Sequence, residues 1–322
     1  MRKIVFYIKM IINTGLRTDI VAFYSKWFIN RIRQGYVCVR NPYNPKLVTK
    51  YILDPKVVDC IEFCTKNPRP IIKYLDELKK YNLLFYVTIT PYKKDIELNA
   101  PNKDKVIESF IKLREKLPNS FIGLRYDPIF LTKKYNIDYH INSFKYIIEK
   151  LKGYTDTCVI SFLDMYNKVY KNASDLRVPN KLEQIEIVKE FVKITKENNI
   201  KLYLCCEDKS LENYGVITTG CLSKEIISRS IPYKIEFPNI NVRKECNCFL
   251  GNDIGSYNTC NHLCRYCYAN YSKEEVLKNM LNHYDDSPLL VGKISSDDII
   301  KEAKMVSYKV LKEQINFKLW YN

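Results

Sequence analysis

The sequence predicts an α/β fold, a TIM-like (β/α) barrel, complete or partial, followed by a cysteine-rich loop region and helices. Three observations predict it. From residue 10 onward, short apolar runs alternate with stretches whose apolar residues recur every three or four positions, as expected of parallel strands joined by covering helices. The length of 322 residues suits one barrel with insertions, for which about 250 residues is typical. A content of 46% hydrophobic and 27% charged residues is globular and sufficient for one large core.

The elements follow in order. Residues 1–9 read as an extension ahead of the fold, and "MIINT" (10–14) as the first strand. In "IVAFYSKWFINRIRQG" the side chains of Phe23, Trp27, Ile29 and Ile32 approximate a helical stripe that Gly35 ends. "YVCVRNPYNPKLVTKYIL" reads as a β-hairpin turning at its Asn-Pro pairs. Further strands are predicted at "DCIEFCT" (59–65), "LLFYVTIT" (83–90), "FIGLRY" (121–126), "TCVISFL" (157–163) and "KLYLCC" (201–206). Between them "PIIKYLDELKKY", "KVIESFIKLREKL", "YHINSFKYIIEKL" and "KLEQIEIVKEFVKITKENN" carry helical spacing. At least six βα units result, with a less regular continuation near "YKIEF" (233–237). The barrel is expected over residues 10–240. Residues 241–322 form a cysteine-rich segment with helices at "SKEEVLKNMLNHY" and near "DDIIKEAKMVSYKVLKEQI", packed on the barrel. No repeat of solenoid length is present.

Lys and Arg total 52 against 36 Asp and Glu, a net charge of +16, which favours polyanions such as nucleic acid. The lysines are nevertheless spread along the chain with no run of five, so the excess reads first as composition. The apolar run "IVFYIKMII" is broken by Lys9 and is far shorter than the ~20 residues of a membrane helix. It also lacks a small-residue cleavage site, so neither a span nor a signal peptide is expected. Twelve cysteines without a secretory signal point to a cytoplasmic protein, where clustered thiols bind metal more readily than they pair. With three histidines in the chain, any metal is held mainly by sulfur.

Barrel active sites lie at the C-terminal ends of the strands, and here those ends are polar. Arg17 and Asp19 follow the first strand, Lys66 the second, Arg125 and Asp127 the fourth, Asp164 the fifth and Glu207 the sixth. Wet loops account for part of this rim; a site for a small polar substrate, using these seven residues, accounts for the rest.

Cys260, Cys264 and Cys267 stand as C-x3-C-x2-C in "CNHLCRYCYAN", too tightly spaced for scattered core cysteines. A structural zinc site wants four closed ligands; here Cys246 or Cys248 of the C-x-C pair, or His262, would have to supply the fourth. Three thiols on a short loop instead suit three corners of a [4Fe–4S] cluster with one iron left open. Cys205, Cys221, Cys246 and Cys248 would suffice for a second metal group if the fold gathers them. Cys38, Cys60, Cys64 and Cys158 read as small core residues. Cys206 alternates with Cys205, so the two are expected on opposite faces.

The C-x3-C-x2-C spacing with Tyr266 before the last cysteine resembles the cluster motif of radical S-adenosylmethionine enzymes, although those place the loop after the first strand. That resemblance implies a [4Fe–4S] cofactor on Cys260, Cys264 and Cys267, S-adenosylmethionine as co-substrate, and an electron donor such as a flavodoxin or ferredoxin. From residue 10 to about 300 the chain resembles domain of unknown function 1848 in "RTDIVAFYSKWF", "VRNPYNP", "FCTKNP", "TITPY", "LRYDPI", "SFLDMY", "CCE", "CNC" and "DIGSYNTCNHLCRYCYAN". The family implies C-terminal cysteines similar to the radical enzymes' loop and no settled reaction. This chain departs from its opening motif at Gly15, Leu16 and Val21. The sequence thus suggests an oxygen-sensitive iron–sulfur redox enzyme. The alternatives are a zinc-stabilised nucleic-acid-binding protein and a non-catalytic electron-transfer protein. A serine hydrolase is disfavoured, since no G-x-S-x-G elbow exists.

Overall fold

A computed structural model describes residues 11–236, 248–249, 251–305 and 307–310. It contains strands β1 (Ile11–Asn13), β2 (Tyr36–Arg40), β3 (Leu47–Ile52), β4 (Cys60–Thr65), β5 (Leu83–Thr88), β6 (Phe121–Ile129), β7 (Thr157–Phe162), β8 (Lys201–Leu204), β9 (Asn252–Asp253) and β10 (Ile299–Glu302). The helices are α1 (Ile20–Phe23), α2 (Ser25–Gln34), α3 (Leu75–Leu78), α4 (Lys103–Lys116), α5 (Ile137–Lys150), α6 (Asn167–Asn172), α7 (Lys181–Glu197), α8 (Lys224–Ser228) and α9 (Lys273–Leu281).

Seven strands form one sheet in the order β8-β7-β6-β5-β4-β1-β9, and every pair in it is parallel. This is the α/β architecture the alternation predicts: βα units are laid side by side in chain order, and the late strand β9 pairs on the free side of β1. A parallel sheet covered on both faces selects continuous apolar strands, and all six residues of β5, LLFYVT, are buried. On one face Trp27, Phe28, Phe110, Phe144 and Phe191 bring α2, α4, α5 and α7 against Ile12, Phe63, Phe85, Val87 and Leu124. On the other face Ile11, Cys60, Leu84, Tyr86, Phe121, Val159 and Tyr203 pack against Leu222, Ile226 and Ile227. At the sheet's two edges, Ile217 bridges Tyr203 of β8 in parallel, and Phe249 N donates to Leu222 O at 2.9 Å.

Helix ends follow local chemistry. Asn180 and Glu183 form a reciprocal capping box on α7, and Gly35 closes α2 in the left-handed region at φ 76°. The predicted helix over 20–35 is divided at Tyr24, which leaves helical geometry while its hydroxyl donates to Thr259 O at 2.7 Å. The stretch 70–81 is a 3-10 turn over Arg69–Tyr74 followed by α3.

The hairpin is present as antiparallel β2 and β3, and it corrects one expectation. Where a C-terminal helix is predicted, Ile299–Glu302 is instead strand β10, paired in parallel with β3, because the free edge of the hairpin satisfies its backbone. Residues 306 and 311–315 of that stretch lie outside the described residues. Nor do residues 233–236 of "YKIEF" join the large sheet: Ile235 bridges Lys309, and Tyr233 donates to Asp59 Oδ1 at 3.2 Å, just ahead of β4; residue 237 lies outside the described residues. Among the described residues no helix is long and apolar enough to cross a membrane.

Candidate metal centre

Cys205 directly follows β8, and its N–H donates to Ile160 O of β7 at 3.0 Å, so it continues the sheet for one residue. Cys221 lies beyond the bridge at Ile217, and Cys248 lies four residues before β9. The three sulfurs are buried and all within 4.8 Å of one another, the one such group of metal-ligand atoms among the described residues. Cys205 and Cys221 are separated by 3.4 Å, and Cys221 and Cys248 by 3.5 Å. Metal–sulfur bonds of about 2.3 Å arranged tetrahedrally place sulfurs about 3.8 Å apart. The three cysteines can therefore hold a metal with little movement. Cys246, proposed from sequence alongside them, lies outside the described residues.

The Cys206 sulfur is 3.9 Å from that of Cys205, contrary to the strand alternation that puts them on opposite faces. The reason is that β8 ends at Leu204 and Cys206 has φ 59°. A left-handed residue breaks the alternation and returns its side chain toward its neighbour. The Cys205 thiol is driven down, first by hydrogen bonds from the sulfurs of Cys206, Cys221 and Cys248 and then by the Arg125 guanidinium. Its tie to Cys205, and then burial, push Cys221 up.

Beside this group, Arg125 forms an ion pair with Asp127, whose other oxygen accepts from Ser161 Oγ at 2.6 Å. Burial opposes the Arg125 charge, but Asp127 and the sulfurs of Cys221, Cys64 and Cys205 hold it firmly protonated. Glu207 accepts from Phe162 N at 2.7 Å; burial lifts its carboxyl to about 8, with Asp164, Asp127 and Cys205 adding to the rise. Asp164 is exposed and accepts the Tyr166 hydroxyl at 3.2 Å, acting on this polar group through its charge beside Glu207.

The remaining predicted residues serve the second cysteine loop. Asp19 caps α1 through Ala22 N at 2.9 Å. Its other oxygen accepts from Thr65 Oγ1 at 3.0 Å, Lys66 N at 2.8 Å and His262 Nε2 at 2.9 Å. Arg17 pairs with Asp253, donating also to its backbone oxygen at 2.7 Å. Lys66 donates to Glu97 at 2.9 Å and to Thr90 at 3.3 Å, beneath the Tyr266 ring, whose hydroxyl also reaches Glu97. Burial alone would raise Glu97; Lys66, Tyr266 and Thr90 together hold it below the ordinary carboxylate value.

These contacts seat Cys260, Cys264 and Cys267 over the C-terminal ends of the strands. Cys264 bridges Glu97, and Ala269 N donates to Cys267 Sγ at 3.3 Å. Burial pushes the Cys260 and Cys264 thiols well up, and the neighbouring sulfurs add to the cost of ionising them. The three sulfurs do not form a group as tight as that of Cys205, Cys221 and Cys248. Of the cysteines predicted as core residues, Cys38, Cys60 and Cys158 are buried, whereas Cys64 is half-buried, its sulfur 3.9 Å from Thr88 Oγ1.

A family model described as domain of unknown function DUF1848 matches residues 11–269. The chain belongs to the DUF1848 family. No curated protein matches it. The DUF1848 match spans both thiol groups and ends two residues after Cys267, ahead of α9 and β10. Gly15 has no room for a side chain here: a Cβ would lie 2.3 Å from Cys64 O.

Sequence reasoning missed Glu62, Glu97, Asp253 and the Asp19–His262 pair. Glu62 was discoverable, as a lone carboxylate in phase with Cys60 and Cys64 on an apolar strand. It is buried, accepts from Asn13 Nδ2 at 2.9 Å, and burial lifts its carboxyl to about 7. Glu97 sits in an irregular loop with no period to mark it.

Proposed function

We propose that this DUF1848 protein is an iron–sulfur redox enzyme of the radical S-adenosylmethionine-like type, acting on a small polar substrate. The sheet would wrap as a TIM-like barrel, a reading supported by its sequential strand order, by β9 beside β1 and by the Leu222–Phe249 bond. Cys260, Cys264 and Cys267 would hold a [4Fe–4S] cluster, which when bound supplies one-electron chemistry at an open iron.

The observation that carries the reading is that the loop bearing these thiols is tied by His262–Asp19, Tyr266–Glu97 and the Cys264–Glu97 bridge to the polar strand ends. Arg125 and Asp127 would orient a substrate carboxylate, amine or phosphate. Lys66 and Glu97 would fix the loop against them. Glu62 and Glu207, whose carboxyls burial raises to about 7 and about 8, would be groups able to exchange a proton with substrate near neutrality.

Anaerobic purification followed by iron, sulfide and zinc analysis tests this. Iron with matching sulfide, lost in the triple Cys260→Ser, Cys264→Ser, Cys267→Ser variant, is expected, together with an electron spin resonance signal that shifts on adding S-adenosylmethionine. Protein without iron overturns the cluster, and an unshifted signal favours electron transfer.

A further inference from the structure

We infer that Cys205, Cys206, Cys221 and Cys248 form a second and separate site that binds a single tetrahedral metal ion, zinc being the natural occupant. Four thiols come from three segments far apart in sequence. Three lie within 4.8 Å of one another, and the fourth, Cys206, stands 3.9 Å from Cys205.

The sulfur separations of 3.4 Å, 3.5 Å and 3.9 Å bracket the roughly 3.8 Å spacing around one ion with 2.3 Å metal–sulfur bonds; Cys206 stands outside the tight trio and would turn in to close the tetrahedron. They are too short for sulfurs bound to different irons of a cubane. The donor set narrows the ion: four thiolates in a tetrahedron suit zinc or a single iron, and a role as a staple calls for the redox-inert one. Leu222 N donates to Cys248 Sγ at 3.5 Å, the kind of backbone contact that orients a thiolate ligand. Binding displaces the thiol protons to solvent, and the cation replaces the hydrogen bonds among the sulfurs and offsets the charge of the thiolates formed.

Position in the fold gives this ion a task. β8 and β9 are the two ends of the seven-stranded order; Cys205 and Cys206 leave the first, and Cys248 leads into the second. An ion held between them would staple the two edges of the sheet beside Arg125. The left-handed φ of Cys206 costs conformational energy in a non-glycine residue, and ligation by its thiol offsets that cost.

The site rests on different residues from the proposed cluster, so the experiment starts from the Cys260→Ser, Cys264→Ser, Cys267→Ser protein. That protein should retain one zinc per chain. After chelation it should bind one Co(II), with the visible absorption of a tetrahedral tetrathiolate centre. Adding Cys221→Ser should abolish binding. Adding Cys206→Ser should weaken Co(II) at least tenfold and shift the bands toward a three-thiolate centre, while Cys246→Ser should change neither. Cys206→Ala, unable to ligate, should reproduce the loss if the serine variant folds poorly. A cooperatively melting triple variant that takes up neither ion overturns the inference. So does Co(II) binding that responds to Cys246→Ser and ignores Cys206→Ser, or a disulfide between Cys205 and Cys221.

Discussion

Cys205, Cys221 and Cys248 come from three parts of the chain and meet only because β8 and the approach to β9 are brought together. Cys260, Cys264 and Cys267 come from one eight-residue stretch that the strand ends receive through Asp19 and Glu97. The first group exists only in the folded chain, so a metal bound there would stabilise the fold by mass action. The second keeps its thiols adjacent even in an unfolded chain, so a group bound there would contribute chemistry more than stability. The difference teaches that two thiol groups near one polar mouth can be built for separate burdens.

The largest expected effect separates them directly. Cys221→Ser, by removing the gathered site, should lower stability by on the order of 5 kcal/mol, whereas Cys264→Ser should remove iron with a much smaller loss; chemical denaturation of both checks this. Next comes the seat of the second loop. Glu97→Ala leaves Lys66 buried without its carboxylate and should cost about 3 kcal/mol. Glu77→Ala breaks the exposed pair with Arg33 and should cost under about 1 kcal/mol. Equal losses would show that the buried pair does not hold the loop.

A smaller effect is expected at β9. A Cβ on Gly251 would lie 2.1 Å from Ile11 O. Gly251→Ala should push β9 off β1 and cost about 2 kcal/mol, lowering zinc content more than iron content. Comparable in total, but spread over pH, is the protonation of Glu62. The Glu62 carboxyl, raised by burial from 4.5 to about 7, binds a proton in the folded chain that the unfolded chain has released. Its stabilisation is complete below pH 4.5 and is lost as pH rises through about 7. Glu62 should lower stability by about 1 kcal/mol per pH unit across that interval, and Glu62→Gln should remove its share of the slope while leaving that of Glu207.

Most strands and covering helices were legible because burial on both faces makes parallel strands continuous apolar runs, as in β5, and helices periodic. The Cys260–Cys267 loop was legible because its thiols are neighbours in sequence. The gathered site was legible only as a set of candidates, since no local pattern reports that residues 205, 221 and 248 converge. Cys206 was misjudged because alternation was carried one residue past the end of β8, into a left-handed position. β9 is two residues long, too short for a period. β10 was mistaken for helix because its pairing partner, the edge of β3, is some 250 residues distant and invisible locally.

Metal analysis of the anaerobically purified chain tests the account most directly. It predicts about four irons with matching sulfide and one zinc in the wild type, and zinc alone in the Cys260→Ser, Cys264→Ser, Cys267→Ser variant. Loss of both metals together in that variant, or zinc with no iron in the wild type, would contradict it.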